Sequence, residues 1–290
     1  MGFLDPMRHT MFHLIEDSKD LKELDQELLA LDFVAVDTEF RRQGKDDIKL
    51  SLIQVSNGEE TFIIDCILIG KYKDYCNFLS SNKVKKIFHS CREDLDALHS
   101  WTNEKVNNIF DTQLANEFLG GVYSIGYQDL VFKLFGVSIE KKETRSNWIK
   151  RPLKESQLNY AATDVQYLIK IYKSQLLELE ETSKVIWIDE ELENRQFDQA
   201  LSNTFEDKVI KKVSIGKDEE EDLLKALSKR VNRIAKDYKI NSTMLLSKKS
   251  QRVFLKKVFK DGLDPALNDL KDWRKELLKP HFTELLARLT

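Results

Sequence analysis

The chain has 290 residues, of which 41% are hydrophobic and 33% charged, with a formal net charge of -3. That balance excludes a disordered chain and gives enough apolar side chain for one large domain and a smaller one. No apolar run approaches the about 20 residues of a membrane-spanning helix, and the first residues lack the basic start and apolar core of a secretory leader, so a cytoplasmic protein is expected. The three cysteines, Cys66, Cys76 and Cys91, are too scattered for a zinc or redox motif and are expected as buried thiols. Charge is unevenly placed: acidic residues outnumber basic ones over 1–217, and the reverse holds over 218–290.

In chain order, residues 1–17 read as irregular, and Ser18 as the cap of a helix carrying Leu21, Leu24 and Leu28. Phe33 to Phe40 (FVAVDTEF) opens with four apolar residues, the mark of a strand buried on both faces. Ile48–Ser56 and Thr61–Asp65 follow as strands, joined by the hairpin signal Asn57-Gly58 into an antiparallel meander. A helix over about 71–80 leads to a strand at Val84–His89. Ser90 and Glu93 then have the spacing of a capping box for a helix reaching Trp101. A strand over Val106–Asp111, a helix to Phe118 and another over Tyr127–Phe135 come next. The stretch 141–152 (KKETRSNWIKRP) is basic and aperiodic, a loop of the kind that carries binding groups. A long helix is expected from Glu155 to about Leu179, and a further one through Trp187, Leu192 and Phe197. The polar stretch 201–217 is the expected linker between a domain over 1–200 and a helical bundle over 218–290.

The acids carry the chemistry. Asp37 and Glu39 are two apart on a strand, so their side chains share one face beside apolar residues. Like charges in such a place repel and lose hydration, and a hard divalent cation held by oxygen is the common remedy. Glu93 is accounted for by the expected cap, whereas Asp94 borders the inward face of Leu98 and Trp101. Asp164 sits between Ala161 and Leu168 on its helix, with Tyr160 one turn before it. Strand and helix alternate so that all three elements can meet at one cleft at the edge of a mixed sheet. Four carboxylates there would suit two divalent ions and phosphodiester cleavage, with the Tyr160 hydroxyl orienting the attacking water.

These residues stand in motifs: Asp37-Thr38-Glu39-Phe40, Leu50-Ser51-Leu52-Ile53-Gln54-Val55, His89-Ser90-Cys91-Arg92-Glu93-Asp94-Leu95, Asp111-Thr112-Gln113, Thr144-Arg145-Ser146-Asn147-Trp148 with Arg151-Pro152-Leu153, and Tyr160-Ala161-Ala162-Thr163-Asp164. In this order, over about residues 12–200, the sequence resembles ribonuclease D of the DEDD 3′→5′ exonuclease superfamily, tyrosine subtype. The resemblance implies an α/β fold with a mixed, ribonuclease-H-like sheet, followed by an all-helical bundle similar to one helicase-and-RNase-D C-terminal (HRDC) domain. It implies Asp37, Glu39, Asp94 and Asp164 as ligands of two divalent ions (Mg²⁺ or Mn²⁺) and Tyr160 as the water-positioning group. The sister subtype has a histidine five residues before the last Asp, where this chain has Asn159. His89 fits the family's pattern and is expected to support the site, not to catalyse. The implied activity is 3′→5′ exoribonuclease action on RNA, releasing nucleoside 5′-monophosphates and trimming structured RNA such as tRNA precursors. No membrane or obligate protein partner is expected. A DNA exonuclease on the same scaffold and an inactive RNA-binding module are the alternatives.

Overall fold

The computed structural model describes residues 11–44, 47–70, 76–140, 143–195 and 217–286. Its elements, in chain order, are β1 (His13–Ile15), α1 (Ser18–Leu29), β2 (Phe33–Arg42), β3 (Ile48–Ser56), β4 (Thr61–Asp65), α2 (Cys66–Ile69), α3 (Asn77–Ser80), β5 (Lys85–Phe88), α4 (Arg92–Thr102), β6 (Ile109–Asp111), α5 (Thr112–Phe118), α6 (Tyr127–Phe135), α7 (Glu155–Gln166), α8 (Leu168–Glu181), α9 (Val185–Arg195), α10 (Lys217–Asp237), α11 (Ser242–Leu246), α12 (Lys248–Asp261), α13 (Leu263–Asn268) and α14 (Asp272–Leu286). The chain forms two compact units, Met1–Leu114 with Ser124–Glu178, and Ala115–Tyr123 with Leu179–Thr290. No described helix is long and apolar enough to cross a membrane.

The first unit is built on a six-stranded sheet in the order β1-β4-β3-β2-β5-β6. The expected meander is present, β2 with β3 and β3 with β4 pairing antiparallel. At its turn the Asn57 side chain accepts from the Glu59 and Glu60 amides, and Gly58 takes φ 98°, a conformation open to glycine. β2 also pairs parallel with β5, and β5 with β6, which makes β2 a central strand. Its apolar run is accordingly sealed, Val34, Ala35 and Val36 having no exposed surface. Cys66, Cys76 and Cys91 are buried free thiols.

Several expectations are corrected. Residues 13–15, expected as irregular, form β1 against β4; three residues are too few to display a period. The cap of α1 is Asp17, whose carboxylate accepts from the Lys19 and Asp20 amides, and not Ser18. The strand expected over 106–111 is confined to Ile109–Asp111. Of the helix expected over 71–80, residues 71–75 lie outside the described residues, as do Phe197 and residues 201–216 of the expected linker.

Two corrections bear on the site. The helix expected over 155–179 is broken at Tyr167 into α7 and α8. The cause is a side chain inserted into the helical ladder: the Tyr127 hydroxyl donates to the Thr163 carbonyl (3.0 Å) and accepts from the Tyr167 amide (3.1 Å), two groups that would otherwise bond each other. At α4 the Ser90–Glu93 capping box does not form. Ser90 takes φ 64°, and its amide and that of Cys91 donate to Asp111 at 3.0 and 3.1 Å. The fully buried Asp111 carboxylate also accepts from the Gln113 and Leu114 amides, so one acid caps α5 and ties down the approach to α4.

In the second unit Trp273 is buried, its ring 5.0 Å from that of Phe118 and stacked on Trp187 at 5.4 Å, with its Nε1 donating to Glu191. Buried Lys184 donates from Nζ to the carbonyls of Phe118 and Lys239, satisfying the chain at the ends of α5 and α10.

Asp111→Ala strips acceptors from four backbone amides in a dry setting. It is expected to lower unfolding free energy by about 3 kcal/mol or more, read by urea denaturation. A loss below about 1 kcal/mol would show that the amides find other partners.

Candidate active site

β2 delivers Asp37 and Glu39, both half-buried, opposite Gln54 and Leu52 of β3. Its pairing with β3 shifts register between Glu39 and Phe40, just beyond the second acid. α4 delivers Asp94 in its first turn, on the face that buries Leu98 and Trp101. α7 delivers Tyr160 and Asp164, and packs on β2, β3 and β4 through Ala161 and Ala162, which meet Leu52, Ile63 and Trp148. Alanines there let the helix approach the sheet closely enough for its acid to face those of β2.

The structure brings together all five residues singled out in the sequence. The Thr38 hydroxyl donates to Asp94 Oδ1 at 2.5 Å, coupling the α4 acid to the β2 strand. Burial, and then the neighbouring Asp164 charge, push the Asp37 carboxyl up to about 8. Burial followed by Asp37, Asp164 and Asp94 push Glu39 up to about 10. Burial and then Asp37 hold Asp94 well above the usual carboxylate range. Asp164 is raised by burial to about 7, an effect the neighbouring Tyr160 hydroxyl partly offsets. Each shift is what crowding like charges away from water produces. The fields acting on the four come from one another, from a fifth acid, from hydroxyls and from backbone; no lysine or arginine among the described residues offsets them.

A divalent cation fits this donor set, which is all hard carboxylate oxygen. Asp164 Oδ1 is buried with no hydrogen-bond partner, an acceptor available to such an ion. Among the described residues no three acids are drawn in to the spacing of a closed metal shell.

Sequence reasoning missed three contributors. Gln54, cross-strand from Asp37, is fully buried with both amide atoms unpartnered; only the register reveals it. Thr144, in the aperiodic stretch, lies with its hydroxyl 3.2 Å from that of Tyr160. Thr38 was passed over as the residue between two acids. His89, in contrast, is held as a support: Nε2 donates to the Ile125 carbonyl (2.9 Å), Nδ1 lies 2.9 Å from Thr112 Oγ1, and burial lowers its pKa.

The raised carboxyl pKa values fix a sign for stability. Between the ordinary value of 3.8 and the folded values of about 7 for Asp164 and about 8 for Asp37, the folded chain binds more protons than the unfolded chain. Stability therefore falls as pH rises through that window. With a chelator present, the thermal midpoint should drop from pH 5 to about pH 8, and Asp164→Asn should flatten the drop. A midpoint that rises over the same interval would contradict the crowding of these acids.

A family model described as 3′-5′ exonuclease matches residues 12–180. Ribonuclease D of Pseudomonas paraeruginosa is 37% identical over 158 residues, covering 54% of this chain and 42% of that protein. Ribonuclease D of Haemophilus influenzae is 39% identical over 176 residues, covering 61% and 43%. The chain thus spans under half the length of these relatives. The Escherichia coli RNase D structure superposes with TM-score 0.62 over 96% of this chain and 74% of that one at 24% identity, a likeness of fold. Brucella melitensis NrnC follows at TM-score 0.57 and 25% identity, covering 65% of this chain and 90% of that one. With the model matched over more than half of its residues, across the strand and helices that carry the five site residues, the chain belongs to the 3′-5′ exonuclease family.

Proposed function

We propose that the protein is a metal-dependent 3′→5′ exoribonuclease that removes nucleoside 5′-monophosphates from RNA 3′ ends. The observation that carries this reading is the convergence of Asp37, Glu39, Asp94 and Asp164, with no lysine or arginine among the described residues offsetting their charge. The relatives named ribonuclease D support RNA as substrate, and the Escherichia coli structure is titled an exoribonuclease involved in structured RNA processing. Trimming of tRNA precursors and other structured RNA in the cytoplasm is the biological role proposed on that basis.

In this reading the four acids hold two Mg²⁺ or Mn²⁺ ions, deprotonating as they do so. When bound, the ions supply the charge that favours ionisation of an attacking water and stabilises the leaving 3′ oxygen. Tyr160 orients that water. Burial and the Asp164 charge raise its pKa further above the ordinary tyrosine value, so it stays un-ionised and acts as a hydrogen-bonding group, not as a base. Attack at phosphorus then breaks the P–O3′ bond, leaving the phosphate on the departing nucleoside.

The proposal keeps the division expected from the sequence, catalysis over 1–200, a connection over 201–217 and RNA contact over 218–290. The HRDC-like helices α10–α14 include α12, where Lys248, Arg252, Lys256 and Lys260 recur every fourth residue and are exposed, a cationic stripe suited to phosphates.

Two experiments test this. End-labelled RNA and DNA of one sequence, digested with and without Mg²⁺ or Mn²⁺, should show stepwise 3′ shortening of RNA that requires metal, and Asp37→Ala should abolish it. Preference for the DNA strand would favour a DNA exonuclease, and RNA binding without shortening an inactive module. For the stripe, replacing Lys248, Arg252 and Lys256 together with alanine should reduce the salt slope of binding to a single strand by up to about 2, at about 0.7 per phosphate contact. Cleavage of short oligonucleotides should hardly change. An unchanged slope would remove α12 from the RNA interface.

A further inference from the structure

We propose that Thr144 is a positioning residue for the reaction, fixing the direction of the Tyr160 hydroxyl; the inference rests on the role given to Tyr160 above. A phenol hydroxyl turns about its C–O bond, and only its partners decide where its single hydrogen and its lone pairs point. In the structure Thr144 Oγ1 lies 3.2 Å from the Tyr160 hydroxyl, and the Asp164 carboxylate one turn along α7 acts on it electrostatically. With both in place its rotation is restricted, and the remaining direction is left for water.

Thr144 can serve this purpose because its loop is closed by its own hydrogen bonds and anchored to the sheet. On one side, Ser51 Oγ donates to the Trp148 carbonyl at 2.5 Å, and the Arg151 guanidinium donates to the same carbonyl at 2.7 Å. That guanidinium also grips both Asp65 oxygens at the end of β4, at 2.5 and 2.7 Å, a bidentate pair with little exposure of either partner. On the other side, the Glu143 carboxylate accepts from Ser146 and closes a turn around Thr144. Between these anchors Trp148 is buried against Leu52, Ile63, Ala161 and Ala162, its ring 6.1 Å from that of Tyr160. The segment is thus a rigid strap that seats the tyrosine ring with Trp148 and its hydroxyl with Thr144. Thr144 itself is exposed, so its replacement costs little packing, and a change in rate reports orientation, not folding.

The test compares the intact protein with Thr144→Val, Thr144→Ser, Tyr160→Phe and the Thr144→Val/Tyr160→Phe double variant. Single-turnover cleavage is measured with metal, and RNA affinity with a chelator. Thr144→Val should slow cleavage by about 10-fold, the loss of one orienting hydrogen bond, with RNA affinity and thermal midpoint unchanged. Thr144→Ser should restore the rate. In the Tyr160→Phe background the valine should add nothing, because the group it directs is gone. Unchanged cleavage by Thr144→Val beside a slow Tyr160→Phe overturns the inference and leaves the role of Tyr160 intact, and so does a full 10-fold effect of the valine in the Phe background. Wild-type cleavage by Tyr160→Phe overturns the role of Tyr160 itself, and the inference with it.

Discussion

Carboxylates gathered away from water are the constraint on which the rest of this structure depends. Asp37, Glu39, Asp94 and Asp164 each lose hydration, and neighbouring acids further raise the charging cost of Asp37, Glu39 and Asp94. No lysine or arginine among the described residues compensates, so the cluster must be held by the surrounding fold. The sealed strand β2 between two neighbours, the alanine face of α7 and the tie from Thr38 to Asp94 are the means. A fold that accepts such a cost at one place is one in which the cost belongs to function.

A second theme is that polar side chains fix backbone where helices start and stop near the cluster. Asp111 gathers four amides from two segments, Tyr127 opens the ladder that would join α7 to α8, and Arg151 ties the loop of Thr144 to the sheet. Each contact is at least partly buried, and each sets the position of an element carrying a site residue. Positioning of a reacting group by its neighbours is worth large factors in rate, which is why these contacts matter beyond stability.

Much of this was legible in the sequence. The run Val34-Ala35-Val36 before two acids identified a central strand, and the position of Asp94 beside Leu98 and Trp101 marked it as an acid on an inward face, as the burial of all three bears out. What was illegible has a physical reason in each case. Ser90 and Glu93 satisfy the local rule for a capping box, but a distant acid, Asp111, takes the Ser90 amide that the box would use, together with that of Cys91. The break at Tyr167 is imposed by a hydroxyl forty residues away in the chain. β1 is too short to show a period, and Thr144 lies in a stretch with none. Local patterns identify elements; tertiary acceptors decide where those elements end.

The central claim is that the acids form a cation site, and proton-coupled metal binding tests it most directly. Mn²⁺ titrated calorimetrically into the intact protein at pH 7, in buffers of different ionisation enthalpy, reports both affinity and protons released. Because Asp37 and Glu39 are raised to about 8 and about 10, binding should release at least about one proton per protein, and Asp37→Asn should weaken binding and reduce that release. Binding of Mn²⁺ without proton release, or with the affinity unchanged in Asp37→Asn, would contradict the account.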